Sequence, residues 1–206
     1  MRKLTITQFV TLDGVAQSPG APEEDPSGGF SKGGWLPPFA ADPLFSEVVD
    51  ARFEKAGAFL LGRTTYELMS AFWPNVSDEE PTAAKLNHLP KHVASTTLSS
   101  PEWENTTLIE GDVVEEVTRL KAEDGEGELQ VHGSLGLAQT LMGHGLIDVY
   151  ELLVFPVVLG EGKRLFGTGI DRSLRLVDHR AGESGLLALT YEPAGELAFG
   201  SVEGPS

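Results

Sequence analysis

The chain has 206 residues, 40% of them hydrophobic and 22% charged, which is enough apolar material to bury one core of ordinary size. Its net charge of −16 argues against nucleic acid as a partner, because phosphates would meet a repulsive field. The chain has no cysteine, which excludes disulfides, thiolate nucleophiles and Cys-ligated metals, and it has no run near the ~18 apolar residues of a membrane span.

Strands and helices are predicted to alternate through the first two thirds of the chain. Residues 2–12 alternate polar and apolar side chains and predict a strand that ends at the Asp13-Gly14 turn. Residues 18–43 are dense in proline and glycine and predict a long irregular loop, a kind that usually carries function. The elements predicted after this loop are helix 44–56, strand 57–61, helix 64–72, strand 92–95, helix 112–121, strand 129–132 and helix 134–142.

The last third of the chain lacks helical periodicity. It predicts strands over residues 147–159, 174–180, 185–192 and 196–199. Alternating elements followed by consecutive strands predict an α/β fold, a three-layer sandwich with a mixed, mostly parallel central sheet and antiparallel C-terminal strands. No repeat or linker divides residues 1–206, so we expect one domain with its core within about 2–192.

The same features give expectations about environment and partners. A cysteine-free soluble chain suits the cytoplasm, with a small molecule as its partner and neither membrane nor nucleic acid. Strand 147–159 is expected to lie at an edge of the sheet. Because exposed edges favour pairing with another chain, we expect a homodimer.

A strand-to-helix turn built around Gly62 has the features of an anion site. Gly62 allows a tight turn, Arg63 offers a planar fork to a phosphate, and the first N–H groups of the following helix lack intrahelical partners. Thr64 or Thr65 can cap that helix, and Thr64-x-x-Glu67 fits a capping box. An ordinary capped helix with a solvated arginine explains these residues equally well.

A second turn repeats this chemistry at Gly133 and Ser134, where strand 129–132 passes into a helix. Its glycine spacing fits neither a dinucleotide fingerprint nor a Walker loop, and a tight turn that needs small residues is the plainer alternative. With only 15 lysines and arginines in the chain, the cations beside loops would have to gather where an anionic cofactor docks. These cations are Arg63, Lys91, Lys163 and Arg164.

Taken in this order and at these intervals, the motifs resemble the dihydrofolate reductase-like fold. Within that fold they resemble the reductase domain of bifunctional riboflavin-biosynthesis deaminase-reductases and its stand-alone relatives, from the first strand to about residue 192. The motifs are Thr11-Leu12-Asp13-Gly14, Leu61 to Glu67, Ala94-Ser95-Thr96-Thr97, Val131-His132-Gly133-Ser134 and Phe155 to Phe166. No zinc deaminase signature is present in the sequence, so no deaminase activity is expected.

The resemblance implies an NADPH-dependent reductase that transfers hydride to a small heterocycle, first of all a pyrimidine such as 5-amino-6-(5-phosphoribosylamino)uracil. It implies that Arg63 and Thr64, after Gly62, hold the 2′-phosphate of NADPH and that Thr65 holds the pyrophosphate. The other implied cofactor contacts are Ser95, Thr96 and Thr97 on the adenosine side, and Gly133, Ser134 and Leu135 at the pyrophosphate and nicotinamide ribose.

Candidates for catalysis and substrate binding are also carried by the resemblance. Asp13 could orient the substrate or a catalytic water, or could simply form an Asp-Gly turn. Dihydrofolate reductases carry an acidic residue shortly after the tryptophan of the substrate loop, whereas here the spacing from Trp35 to Asp42 is longer. Asp42 or Glu47 is the candidate for that role beside Trp35, with a helix cap and a solvated helix position as the alternatives.

Two further functions stay open at this point. One is reduction of folate itself, which the longer spacing after Trp35 makes doubtful. The other is a non-catalytic nucleotide-binding or sensing module of the same fold. No metal is expected, because the five histidines form no metal-ligand spacing.

Overall fold

The computed structural model describes residues 1–201, which form one eight-stranded sheet with helices on both faces. The strands are β1 (Leu4–Thr11), β2 (Ala56–Gly62), β3 (Lys91–Ala94), β4 (Thr106–Ile109), β5 (Glu128–His132), β6 (Val149–Phe155), β7 (Leu174–Ala181) and β8 (Leu187–Pro193). The helices are α1 (Pro43–Glu54), α2 (Arg63–Phe72), α3 (Pro81–His88), α4 (Val113–Ala122) and α5 (Leu135–Gly143).

The sheet is mixed and mostly parallel. Its strand order is β4-β3-β2-β5-β1-β6-β8-β7, in which the first six strands run parallel and β8 and β7 pair antiparallel. This confirms the predicted α/β architecture with antiparallel C-terminal strands. Because parallel neighbours end at the same edge, the carboxyl ends of β2, β5, β1 and β6 lie side by side.

The core has a layer on each side of the sheet. On one face Leu4, Ile6 and Val10 of β1 are buried with residues of α4 and α5. On the other face α1, α2 and α3 cover the sheet. The alternation of β1 therefore directs one set of side chains to each layer, as expected for a strand at the centre of a three-layer sandwich.

An aromatic cluster ties the irregular loop before α1 to the core. Phe155, which is fully buried, has four aromatic neighbours with ring centroids 5.4 to 6.3 Å away. These neighbours are Phe9, Trp35, Phe39 and Phe45. The predicted loop is irregular apart from short 3₁₀ turns, and its aromatic residues hold it against the sheet.

Three predicted features differ from the structure. Helix α3 and strand β4 were missed, because eight-residue and four-residue elements give little periodicity. Residues 196–199 form no strand. The predicted strand 147–159 is the shorter β6, and it lies inside the sheet between β1 and β8, so its expected edge position is wrong. The homodimer stays a prediction but loses this argument.

A buried polar row crosses the sheet beneath α1. Arg52 Nε lies 3.1 Å from Glu151 Oε2, and both side chains are almost completely buried. His132 Nε2 donates a 2.9 Å hydrogen bond to Gln130 Oε1, while its ring stacks on Phe53 at 4.5 Å. Burial, followed by the nearby charge of Arg52, lowers the pKa of His132 to about 3. His132 is therefore a neutral core residue at pH 7.

Among the described residues, no helix combines the length and apolar character needed to cross a bilayer.

We expect His132 to make the protein acid-sensitive. An unfolded histidine has a pKa near ~6.5, whereas the folded value is about 3. Between these values only the unfolded chain binds the proton, so the free energy of unfolding falls as the pH falls. From pH 7 to pH 5 this one group should remove about 2 kcal/mol.

Urea denaturation of the wild type, His132→Gln and His179→Gln at pH 7 and pH 5 would check this. His179 lies exposed on β7 and serves as the matched control. Between pH 7 and pH 5 the free energy of unfolding should fall equally in the wild type and in the control. In His132→Gln it should fall by about 2 kcal/mol less. Equal losses in all three proteins would contradict the assignment.

Candidate active site

A cleft of about 760 Å³ opens where the parallel strands end. Its walls are the turns after β2 and β5, the segment that follows β1 and the loop that follows β6. Since these strands lie in the order β2, β5, β1, β6, the cleft runs along the carboxyl edge of the sheet from the β2 end to the β6 end. In open α/β sheets this edge is the usual place for a ligand.

Both predicted anion-binding turns lie on this cleft. The first contributes Gly62, Arg63, Thr64 and Thr65. The second contributes Gly133, Ser134 and Leu135. The structure thus brings together two motifs that are about seventy residues apart in sequence, because β2 and β5 are neighbouring parallel strands.

The two turns are hydrogen-bonded to each other. The backbone N–H of Gly62 donates to Ser134 Oγ at 2.9 Å, and the backbone N–H of Ser134 donates to Thr65 Oγ1 at 2.9 Å. Among the described residues both hydroxyls act only as acceptors in these bonds, so each keeps its own hydrogen for another acceptor. Two hydroxyl donors are therefore available beside the cleft.

The second turn has an unusual backbone. Gly133 and Ser134 both have positive φ, 54° and 47°, which is the left-handed region. Glycine adopts it freely, but serine does so at a steric cost. A Cβ at position 133 would lie 3.4 Å from Thr65 Oγ1, which is about an ordinary van der Waals distance, so the positive φ rather than a lack of space favours glycine there.

The helix that follows the first turn starts earlier than predicted. Gly62 is the N-cap of α2 and no side chain caps it, so the predicted capping box of Thr64 and Glu67 is wrong. Arg63 instead forms an exposed ion pair with Glu67 at 3.5 Å. Such a pair contributes about 0–1 kcal/mol and does not hold the arginine firmly. Helix α5 also begins without a side-chain cap, at Ser134.

Two sets of predicted residues are not on the cleft. Ser95, Thr96 and Thr97 follow β3 but are absent from the cleft lining, and Ser95 Oγ accepts hydrogen bonds from the N–H groups of Thr97 and Leu98. Lys91, expected near an anionic cofactor, is completely buried. Its ammonium donates to three carbonyls at the end of α3 and lies 4.6 Å from the centre of the Trp103 ring.

Asp13 ties two loops together and does not line the cleft. Its carboxylate accepts a 2.6 Å hydrogen bond from Thr11 Oγ1 and bonds from the N–H groups of Leu159 and Gly160. The Thr11 hydrogen bond, together with these backbone donors, lowers the pKa of Asp13 to about 2 despite partial desolvation. Asp13 is therefore ionised at neutral pH and cannot supply a proton.

Asp42 is the N-cap of α1, one of the alternatives left open by its position. Its carboxylate accepts bonds from Leu44 N at 2.9 Å, from Ser184 N at 2.8 Å and from Ser184 Oγ at 2.6 Å. The hydrogen bond from the Ser184 hydroxyl and, to a smaller extent, the one from the Ser184 N–H lower the pKa of Asp42. The side chain is buried and does not line the cleft, and its role in catalysis stays a prediction.

The two predicted substrate contacts also lie elsewhere. Trp35 is buried, with its Nε1 donating to the carbonyl of Gln17 at 2.9 Å, and it packs in the aromatic cluster. Glu47 is exposed and paired with Arg180 on β7 at 2.7 Å. Neither residue lines the cleft. Trp35 instead anchors, through its contact with Phe155, the loop whose other residues form part of the cleft wall.

Sequence reasoning missed several lining residues, of which Gln8 and Phe9 are the clearest. Gln8 is only 2% exposed, and its Nε2 donates to the carbonyl of Gly133. The sequence could have indicated Gln8, because this polar residue lies between the buried apolar residues Ile6 and Val10 on the same face of β1. Phe9, which shares the aromatic cluster, lines the cleft next to it.

Comparisons with known proteins identify the family and the fold of the chain. The family model described as the RibD C-terminal domain matches residues 2–188. A curated relative, the uncharacterized protein YyaP of Bacillus subtilis (strain 168), is 27% identical over 197 residues, covering 92% of this chain and 94% of YyaP.

Solved structures share the fold at low identity. A putative riboflavin biosynthesis protein from Shewanella sp. PV-4 has a TM-score of 0.68 and 21% identity, covering 95% of this chain and 100% of that chain. Dihydrofolate reductase from Enterococcus faecalis complexed with NADP(H) has a TM-score of 0.60 and 16% identity, covering 94% of this chain and 97% of that chain. A Thermotoga maritima deaminase/5-amino-6-(5-phosphoribosylamino)uracil reductase has a TM-score of 0.60 and 16% identity, covering 94% of this chain and 57% of that chain.

We expect Ser134→Ala to destabilise the protein, because the Gly62 N–H loses its acceptor while the left-handed backbone still carries a Cβ. The expected loss in the free energy of unfolding is about 1–2 kcal/mol. Ser134→Gly removes the same hydroxyl but relieves the steric cost, so its loss should be smaller.

Urea denaturation of both variants, with exposed Ser100→Ala as the control, would measure these losses. If Ser134→Ala unfolded at the same urea concentration as the wild type, the hydrogen bond between the turns would add no stability.

Proposed function

Since the chain belongs to the RibD C-terminal domain family, we propose that it is an NADPH-dependent reductase that transfers hydride to a small pyrimidine-type heterocycle of the aminouracil class. The observation that carries this proposal is the pair of hydrogen-bonded turns. They place two helix N-termini without side-chain caps, two spare hydroxyl hydrogens and Arg63 on one cleft of a chain with a net charge of −16. Such a site favours a phosphate-bearing ligand.

In this proposal the cofactor lies along the carboxyl edge of the sheet. Arg63 and Thr64, at the β2 end, hold the 2′-phosphate, and the N-termini of α2 and α5 hold the pyrophosphate. The nicotinamide then lies towards the β1 end, near Gln8 and Phe9. The named NADP(H) complex of a dihydrofolate reductase and the named aminouracil reductase, both of this fold, support the choice of cofactor and substrate class.

NADPH, when bound, supplies the hydride, so the chain needs only to hold the rings together, exclude water and allow one proton to arrive. Gln8 and Phe9 of β1 both line the cleft. Asp13 and Asp42 are both ionised and engaged in hydrogen bonds, so neither donates the proton.

The second candidate is a nucleotide-binding module without turnover. It is favoured by one observation, that both sequence-predicted acids lie off the cleft. Absorbance of NADPH, followed with aminouracil, dihydrofolate and quinone substrates, separates the two candidates. Oxidation with an aminouracil is expected of the reductase, whereas cofactor binding without any oxidation would favour the sensing module.

We expect Arg63→Ala to weaken NADPH binding selectively. Loss of charge-assisted hydrogen bonds of about 1.5–3 kcal/mol corresponds to roughly a tenfold to hundredfold higher Kd for NADPH. The Kd for NADH should stay within about twofold, because NADH lacks the phosphate. Nicotinamide fluorescence titrations would measure both constants.

Two controls make this experiment specific. Arg119→Ala removes a surface arginine of α4, paired with Glu116 and remote from the cleft lining, and should change neither constant. Glu67→Gln frees Arg63 from its ion pair and should leave NADPH binding unchanged or tighter. Equal weakening of NADPH and NADH by Arg63→Ala would contradict the assignment of the 2′-phosphate.

A further inference from the structure

Gln8 is a polar residue at a position where the strand pattern calls for an apolar one. It lies on the face of β1 that carries Ile6 and Val10, and it is only 2% exposed. Burying an amide is unfavourable unless its ends find hydrogen-bond partners. The cleft is the cavity that Gln8 lines, so a partner for an unsatisfied end of the amide has to come from there.

One end of the Gln8 amide is fixed by the second turn. It is hydrogen-bonded to the carbonyl of Gly133, and because a carbonyl only accepts, the end that faces it is the Nε2 donor. The same peptide unit is held from its other side, since its N–H, which belongs to Ser134, donates to Thr65 Oγ1 at 2.9 Å. The peptide between Gly133 and Ser134 is therefore clamped between β1 and α2, and the Gln8 amide cannot rotate without losing a hydrogen bond.

The other end of the amide, Oε1, accepts no hydrogen bond from the part of the chain that the structure describes, residues 1–201. It is not sealed in the interior either, because the fully buried side-chain atoms without a partner in these residues are Arg52 Nη1 and Thr106 Oγ1. Oε1 is thus an acceptor that a ligand in the cleft can reach. A ligand that covered it without donating a hydrogen bond would bind less well.

The groups beside this acceptor attract negative charge, whereas Oε1 itself does not. The uncapped N-termini of α2 and α5 and the hydroxyl hydrogens of Thr65 and Ser134 favour phosphate oxygens. Oε1 disfavours them, because two acceptors have no hydrogen to share. A ligand that satisfies both places a phosphate on the turns and, in the next position towards β1, a neutral O–H or N–H group.

In a nicotinamide dinucleotide the group in this next position is the nicotinamide riboside. Strands β5 and β1 are parallel neighbours, and such strands lie about 4.8 Å apart. With the pyrophosphate on the turns, the group attached to it therefore comes beside Gln8. The riboside carries two kinds of neutral donor, the ribose hydroxyls and the carboxamide N–H groups.

We propose that Gln8 is a specificity-determining residue of the cofactor site, in which its Oε1 accepts a hydrogen bond from a neutral donor of the nicotinamide riboside while its Nε2 holds the second turn. The inference rests on the proposed reductase function and deepens it, because it assigns to one side chain the preference for a complete dinucleotide over its phosphate-bearing half. Since the hydride leaves from the nicotinamide, an acceptor that fixes the riboside also orients the reacting ring.

The test compares NADP⁺ with 2′-phosphoadenosine 5′-diphosphate, a fragment that has the same phosphate groups and lacks the riboside. Both ligands are titrated calorimetrically into the wild type and into Gln8→Met, which keeps the length of the side chain and removes both ends of the amide. Loss of one neutral hydrogen bond should raise the Kd for NADP⁺ by about threefold to tenfold more than the Kd for the fragment. Any weakening of the fragment measures the damage to the turn alone.

Two control variants separate the acceptor from the clamp. Thr65→Val releases the same peptide from its other side and leaves Oε1 in place, so it should weaken both ligands to the same extent. Gln130→Met makes the same exchange at a buried glutamine of β5 that donates to the Arg52 carbonyl and does not line the cleft. It should change the ratio of the two constants by less than about twofold.

A third ligand, 2′-phospho-ADP-ribose, identifies the donor, since it carries ribose hydroxyls but no carboxamide. If Gln8→Met weakens this ligand more than the diphosphate fragment, the bond comes from a hydroxyl. If the selective weakening is confined to NADP⁺, the bond comes from the carboxamide.

Equal weakening of NADP⁺ and the diphosphate fragment by Gln8→Met, or no weakening of either, overturns the inference and leaves the cofactor assignment standing. A wild type that binds neither ligand shows instead that the proposed function itself is wrong. If Gln8→Met does not fold, as judged by thermal unfolding, the side-chain amide signals of Gln8 in NMR spectra of the wild type decide. A larger shift with NADP⁺ than with the fragment supports the inference, and equal shifts overturn it.

Discussion

The hydrogen bonds between the two strand-to-helix turns are the constraint on which the cleft depends. Ser134 of the second turn accepts from the Gly62 N–H of the first turn and donates its own N–H to Thr65 of that same first turn, so α2 and α5 are tied together at their N-termini. The left-handed conformation of Ser134 is the local cost of this arrangement. Two helix N-termini fixed side by side give a preorganised anion site, since the dipoles need no rearrangement when a ligand arrives.

The remainder of the cleft is shaped by loops that are tied to one another. Asp13 bonds to the backbone of the loop after β6, Gln17 accepts from the N–H of Lys163, and a single antiparallel bridge joins Val15 to Arg164. In these contacts, charged and polar side chains of the loops bond to other loop residues of the same chain. The result is a cleft in which the cations of these loops, Lys163 and Arg164, are paired with Asp25 and Asp13 of the chain itself.

Burial explains why several charged or polar residues near the fold's centre have no part in the site. Lys91 stabilises the end of α3 by donating to its free carbonyls, and Arg52 with Glu151 forms an ion pair beneath α1. His132 immediately precedes the site in sequence but faces the opposite layer, where it remains neutral. Proximity in sequence to a functional turn therefore does not place a side chain in the cleft.

The sequence by itself determined most of the elements other than α3 and β4, the mixed sheet and the positions of both strand-to-helix turns, because each depends on local chemistry: hydrophobic period, glycine at a turn, and a helix start. It could not determine that Trp35, Asp42 and Glu47 lie off the cleft, or that Gln8 and Asp25 lie on it. Those outcomes depend on which strands become neighbours and on which partner each side chain meets across the sheet. Only the tertiary structure decides such long-range pairings, since the same aspartate can serve as a helix cap, a loop tie or a counter-ion.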